Sequence, residues 1–256
     1  MLARYTVTEG TWPSYVVNLA DNTARMENAR AQLDAQGIHF TRVEAVWGAD
    51  LTPEQVAEVY DEKANRRRGK QDLVAGELGC YLSHIKAWQA IVASDAPGGF
   101  VFEDDFKVKG DLAEVLRALS AREDLDWDVV KLFSINNDPG MISASPLVGA
   151  FSLGTPYRVP TTMLGYGLKR ASAAALLKRC VPFFRPIDED HKFFWEHGQR
   201  IALVQPNSLE VGDEQAVTGT IGDARRSRSK SDALRKLKYQ LDYQIRLRWH
   251  RWAGRT

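Results

Sequence analysis

Short apolar runs alternate with stretches of helical periodicity from about residue 14 to residue 205. Tyr15-Val16-Val17-Asn18-Leu19 has the β-branched and aromatic bias of a strand. Asp21 or Asn22 is placed to cap a helix that runs through Arg25, Met26, Ala29 and Leu33 to a stop at Gly37. Ile38 to Val46 alternates and predicts a second strand. The opening fifty residues therefore predict β-α-β, the start of an α/β sheet. Thr52-Pro53-Glu54-Gln55 begins a helix predicted to run toward Asn65, with Thr at the cap and Pro at the first position. It ends in the basic run Arg66-Arg67-Arg68-Gly69-Lys70, which reads as a solvated linker.

Residues 76–94 predict a strong helix with an apolar stripe of Leu78, Leu82, Ile85 and Val92. A second stripe, Glu77, Tyr81, His84 and Trp88, mixes charge with aromatics. Burying Glu77 and His84 without partners is costly, so this face is either a satisfied core histidine beside a tryptophan or the wall of a site. Phe100-Val101-Phe102 predicts a buried strand, Gly110-Asp111 opens an amphipathic helix through Ala121, and Asp128 to Phe133 is the next strand. Residues 134–163 carry few charges and many Gly, Pro, Ser and Thr, the composition of a functional loop or lid, with room for a hidden hairpin. A strand at 164–168, an Ala/Leu-rich helix at 170–179, a helix from about 187 to Gly198 and a strand at 200–204 complete the pattern. Residues 1–222 read as one domain and 223–256 as a basic amphipathic tail.

That tail carries a net charge of +8, balanced by −7 on the rest, so the overall +1 hides an asymmetry. Asp223 to Ser231 reads as flexible. From Ala233 onward, Leu234, Leu237, Leu241, Ile245 and Trp249 recur at helical spacing, with Trp252 nearby. A basic helix of this kind suits an anionic membrane surface, and packing against the body is the equal alternative. Nucleic acid is not expected as a partner, since no fold signature supports it. Two cysteines, Cys80 and Cys180, outside any C-x-x-C pair suggest a reducing compartment. With neither a secretory leader nor a membrane-spanning run in the sequence, the expected location is cytoplasmic, with peripheral attachment to the inner face of the cell membrane through the tail.

Two acidic triplets hold the candidate chemistry. Glu103-Asp104-Asp105 ends the Phe100–Phe102 run, where open α/β sheets collect ligands. Two carboxylates about 4 Å apart repel by about 4 kcal/mol at an effective dielectric near 20, so three together call for a cation, and hard divalent ions bind such oxygens. A solvated acidic turn is the plain alternative. Asp188-Glu189-Asp190-His191 sits at a helix start, where negative charge is favourable in any case. The chain has no G-x-G-x-x-G and no P-loop.

Together, V-V-N-L-A-D-N-T-A-R (16–25), G-E-L-G-C-Y-L-S-H-I-K-A-W (76–88) and F-V-F-E-D-D-F (100–106) resemble glycosyltransferase family 25, the lipopolysaccharide-core and collagen galactosyltransferase group. Weaker echoes are G-Y-G-L-K-R-A-S-A-A-A-L-L (165–177) and P-I-D-E-D (186–190), and the segment 134–163 matches no pattern of the family. The resemblance implies a GT-A-like, Rossmann-type nucleotide-sugar-binding sheet flanked by helices. It also implies an inverting transfer of a hexose, most often galactose, from a UDP-sugar to a saccharide or glycolipid acceptor such as lipopolysaccharide core. By the same likeness Glu103 and Asp105 hold Mn²⁺ or Mg²⁺, with Asp104 supporting them. Asn18, Leu19, Arg25, Glu77, His84, Glu103 and Asp104 fall near the donor. Asp188 is the first choice of base and Asp190 the second. His191 is a candidate third metal ligand, a helix-surface histidine being the alternative. Metal-dependent phosphodiester hydrolysis and non-catalytic carbohydrate binding are the competing classes.

Overall fold

In the computed structural model, which describes residues 10–122, 125–136, 139–212 and 233–254, the alternating segments become strands of one mixed sheet. In chain order the strands are β1 (Ser14–Asn18), β2 (Phe40–Glu44), β3 (Gly98–Glu103), β4 (Phe106–Val108), β5 (Val129–Lys131), β6 (Met141–Val148), β7 (Phe151–Pro156), β8 (Gly165–Lys169), β9 (Ile201–Gln205) and β10 (Leu209–Val211). The helices are α1 (Thr23–Asp34), α2 (Pro53–Val59), α3 (Glu62–Arg68), α4 (Ala75–Ala93), α5 (Leu112–Ala121), α6 (Arg170–Leu177), α7 (Ile187–His191), α8 (Phe194–His197) and α9 (Ala233–Trp252).

Among the described residues the large sheet has the order β2-β1-β3-β8-β5-β9-β7-β6. β1 is parallel to both β2 and β3, and β5 is parallel to β9. β8 runs antiparallel between β3 and β5. The consequence matters for the site: β1, β3 and β5 all end at one edge, where β8 begins. β4 and β10 form a small antiparallel ribbon of their own.

Side chains alternate across the sheet as a two-residue period requires. Tyr15, Val17, Val101 and Leu168 join one core with Trp88 and Ile91 of α4 and Leu176 of α6. Val16, Phe100, Phe102 and Val130 join the opposite core with Leu33 of α1 and Leu116 of α5. Helices therefore cover both faces, as such buried strands need. Each fully buried Leu or Phe contributes roughly 1.5–3 kcal/mol relative to exposure. α4 lies very close to the chain after β2: a Cβ on Gly79 would fall 2.4 Å from the Val46 carbonyl oxygen. Glycine there lets the helix approach and fixes the rotation of its mixed stripe.

Three sequence expectations change. The helix predicted from Thr52 toward Asn65 is two helices. Tyr60 and Asp61 leave the helix because Asp61 N–H donates to Phe183 O (2.9 Å) and Phe183 N–H donates to Val59 O (2.8 Å). The Asp61 carboxylate then caps α3 through Ala64 N–H at 2.8 Å. Much of the expected lid at 134–163 is the hairpin β6–β7, turned at Gly149 with φ +53° and paired to β9. β6 is an edge strand with mostly exposed side chains, so no core face was there to produce a strong pattern, and an edge tolerates Pro146. The helix expected from residue 187 to 198 breaks into α7 and α8. The expected flexible stretch Asp223–Ser231 lies outside the described residues. α9 packs on the body, and among the described residues no helix is long and apolar enough to cross a membrane.

Candidate active site

The edge where β1, β3 and β5 finish carries Asn18 and Glu103 on neighbouring strands and, across β8, Lys131 beside Tyr166. α4 supplies Cys80 and His84 from one side, and α7 brings Asp188 within electrostatic reach of Cys80 and Lys131.

Each member of the first triplet has a different environment. Asp104 is buried and held: Asn18 Nδ2 donates to its Oδ2 at 2.6 Å and Arg25 Nη1 to its Oδ1 at 3.3 Å. Burial pushes its carboxyl up, with Asn18 and Arg25 working against the shift. Asn18 is itself fixed, because Arg42 Nε donates to its Oδ1 at 3.0 Å and its amide also donates to Asn22 O. Asp105 is 6% exposed and its Oδ1 has no hydrogen-bond partner among the described residues, while Arg25 stands 3.8 Å from its Oδ2. Burial, then the neighbouring Glu103, push the Asp105 carboxyl up to about 7. An orphaned, buried carboxylate oxygen beside a second carboxylate is what a hard cation satisfies. Glu103 and Asp105 thus fit a divalent ion, and Asp104 serves as their anchor.

Glu103 is oriented from α4. The Trp88 indole N–H donates to Tyr166 Oη at 2.8 Å, and Tyr166 Oη lies 3.0 Å from His84 Nδ1. All three side chains are buried, so the Tyr166 hydroxyl proton needs an acceptor, and His84 Nδ1 is the one in reach. The imidazole proton is then on Nε2, which faces Glu103 Oε1 at 3.5 Å. Cys80 Sγ is 3.9 Å from the same oxygen. Burial and Glu103 push the Cys80 thiol well up. Cys80, His84 and Glu103 lie close enough together to hold a metal. In this tautomer, however, histidine and thiol both turn protons toward Glu103, which suits orienting the carboxylate.

The second triplet is opposite in character. Asp190 is buried: Arg185 Nε donates to its Oδ1 at 3.0 Å and Tyr81 Oη to its Oδ2 at 2.8 Å, and Arg185 Nη2 at 2.8 Å and His197 Nε2 at 3.1 Å stand by as ion-pair contacts. Burial acts to raise its carboxyl, but His197, Arg185 and Tyr81 together hold it well below the usual range. Glu189 is paired with Lys192, with Lys70 at 3.5 Å, and with the Tyr239 hydroxyl. Asp188, partly exposed, accepts the Glu189 N–H at 2.9 Å and is the member within electrostatic reach of both Cys80 and Lys131.

Other expected residues have quieter roles. Glu77 caps α4 by accepting Val74 N–H at 2.8 Å. Leu19 is half-buried in the turn after β1, its carbonyl accepting Asn22 N–H. His191 is 5% exposed, so the helix-surface alternative is corrected. It stacks on Trp88 at 6.0 Å, neither ring nitrogen has a partner among the described residues, and burial holds it well below its ordinary value.

Sequence reasoning missed Lys131 and Arg185. Lys131 is fully buried, donates to Thr162 O at 2.8 Å, and is pushed down to about 7 by burial, with Asp188 and Glu103 opposing. Its signal was a lone cation inside the apolar run Val129-Val130-Lys131-Leu132-Phe133.

A family model described as glycosyltransferase family 25 (LPS biosynthesis protein) matches residues 12–138, which contain β1 through β5 and the first triplet. The chain is 31% identical over 129 residues to procollagen galactosyltransferase 1-A of Xenopus laevis, covering 46% of this chain and 20% of that protein. It is 31% identical over 189 residues to human inactive glycosyltransferase 25 family member 3, covering 68% of this chain and 30% of the relative. Human procollagen galactosyltransferase 2 is 28% identical over 122 residues, 45% of this chain and 20% of its own length. The chain thus spans a fifth to a third of the length of these relatives. With the sheet order, the Glu103-Asp104-Asp105 edge and the family match in agreement, this chain belongs to glycosyltransferase family 25 through residues 12–138.

Proposed function

We propose that the protein transfers a hexose, galactose first among candidates, from a UDP-sugar to a hydroxyl of a saccharide acceptor such as a lipopolysaccharide-type core, with inversion. The observation that carries this reading is the buried Asp105 carboxylate beside Glu103 at the sheet edge, its Oδ1 without a hydrogen-bond partner among the described residues, with Glu103 and Asp188 both in electrostatic reach of Lys131. A divalent ion on Glu103 and Asp105 would supply charge neutralisation for a departing diphosphate. Asp104, anchored by Asn18 and Arg25, holds that turn in place. Asp188 is the proposed base: it takes the acceptor hydroxyl proton as the oxygen bonds to the anomeric carbon and the carbon–oxygen bond to the diphosphate breaks. Asp190 is unsuited to this, because hydrogen bonds from Arg185 and Tyr81 and the adjacent Arg185 and His197 charges suppress its basicity. Lys131, between the two clusters, offsets the charge that Glu103 and Asp188 bring together.

A panel of UDP-sugars, with and without Mn²⁺, tests the reading by thermal shift and by release of UDP in the presence of saccharide acceptors. One donor should raise the melting temperature in a Mn²⁺-dependent manner, by mass action, and support turnover. Absence of both signals across the panel would sink the proposal. A second reading, donor binding without turnover, is favoured by the relatives named inactive. It predicts the thermal shift without UDP release. Asp188→Asn separates the two readings: it should cost about 10²–10⁴-fold in rate while leaving the donor-induced shift intact.

A further inference from the structure

α9 has two apolar faces, and the body covers one. Tyr239, Tyr243 and Leu247 are buried. The two tyrosines meet Phe193 with ring centroids 5.7 and 5.3 Å apart, and Lys192 Nζ lies 5.0 and 4.7 Å from their ring centres. Arg235 pins one end through Gly69 O at 3.0 Å and Asp72 at 2.8 Å. Arg251 pins the other through Tyr157 O at 3.1 Å. At about 100° per residue, Leu234, Leu237, Leu241, Ile245 and Trp252 lie on the opposite side. They are 78%, 56%, 55%, 65% and 85% exposed. Six of the ten large exposed apolar side chains among the described residues belong to this one helix, so scattered surface hydrophobics do not account for the row.

The charge around the row is mainly positive. By helical position Lys238 borders it and Arg248 stands within it, both exposed, while Asp242, the one acidic residue of α9, is paired with Arg246 at 2.9 Å. We infer that this outward face of α9 docks on an anionic membrane surface, its leucines, isoleucine and terminal tryptophan entering the headgroup boundary while lysine and arginine meet lipid phosphates. A basic helix with a narrow apolar face lies in the interface plane in this manner, and each cation near such a surface adds to the attraction. A second copy of the chain fits less well, because pairing the rows would set Lys238 and Arg248 against like charges. The inner contacts keep α9 on the body while its outer face binds, so attachment requires no unpacking. This inference does not depend on the transfer reading.

Co-sedimentation of the full chain with vesicles of phosphatidylcholine alone, and with about one third phosphatidylglycerol, tests it. Binding should be at least about tenfold stronger to the anionic vesicles and should fall with added salt. Leu237→Glu/Ile245→Glu should abolish it, and Lys238→Glu/Arg248→Glu should weaken it about tenfold or more. Thermal unfolding of both variants should match the parent, since the four residues are exposed. Vesicle binding unchanged by Leu237→Glu/Ile245→Glu, or equal on the two vesicle types, would overturn the inference. So would a dimer in sedimentation velocity that the same variant dissolves, with no vesicle binding by the parent.

Discussion

Glu103-Asp104-Asp105 and Asp188-Glu189-Asp190 are near mirror images in sequence and opposites in space. Around the second triplet, Arg185 and His197 compensate Asp190, and Lys192 and Lys70 compensate Glu189. Around the first, Arg25 serves Asp104 and stands off from Asp105, and Asp105 Oδ1 has no donor among the described residues. Burial acts on both, but the carboxyls move in opposite directions: Asp105 up to about 7 and Asp190 well below its ordinary value. A carboxylate cluster is thus marked as a site by a shortage of compensating charge, and the acidic count alone says little.

Removing the compensation should have the largest effect. Arg185→Ala would leave Asp190 ionised, buried and without its guanidinium partner, and would also release Glu196, which Arg185 Nη2 reaches at 2.5 Å. Breaking a buried pair by deleting one partner costs about 3–5 kcal/mol. Urea denaturation should show a midpoint displaced by that amount. A loss under about 1 kcal/mol would mean that the second triplet is as weakly compensated as the first.

Asp105→Asn attacks the comparison from the other end. The folded carboxyl sits at about 7 against an ordinary value of 3.8. Below the ordinary value Asp105 is protonated in both folded and unfolded chains and carries no penalty. As pH rises, the unfolded chain ionises first, and the penalty is complete above the folded value. The variant should therefore gain up to about 4 kcal/mol near pH 8 and less than about 1 kcal/mol near pH 4. Mn²⁺ should stabilise the parent near pH 8 by mass action and not the variant. A variant destabilised equally at both pH values would instead make Asp105 an ordinary ion-pair partner of Arg25.

These contrasts also mark how far the sequence could be read. Strands β1, β3 and β5 and helix α4 were legible because a core face imposes a period on every residue of the element. The β6–β7 hairpin was not, since the edge strand β6 exposes most of its side chains and Ser, Ala and Pro at its centre interrupt any apolar alternation. Both triplets were visible, but their electrical state was not, because it is set by distant partners. Asn18 is 86 positions from Asp104, and Tyr81 is 109 from Asp190. Arg185 stands five positions from Asp190, and even so nothing local said that it would turn inward. The α9 row was legible as amphipathic, but the side that packs, Tyr239, Tyr243 and Leu247, was a second stripe beneath the one the leucines drew attention to.

The smallest test sharpens what distinguishes Glu103 from its neighbours, namely that α4 orients it. Tyr166→Phe removes the hydroxyl that accepts from Trp88 and supplies the proton to His84 Nδ1. The Trp88 N–H is then buried without an acceptor, at a cost of about 1–2 kcal/mol in a denaturation midpoint. Nitrogen-detected NMR of the imidazole carries the specific readout. In the parent, His84 should be the Nε2–H tautomer, with its proton directed at Glu103 Oε1. In the variant Nδ1 has lost its donor, so the tautomers should mix and Mn²⁺ affinity should shift by a few-fold, since histidine hydrogen bonding sets which ring nitrogen holds the proton. An Nδ1–H parent would instead present a bare Nε2 to the carboxylate, and Cys80, His84 and Glu103 would then have to be read as a ligand set.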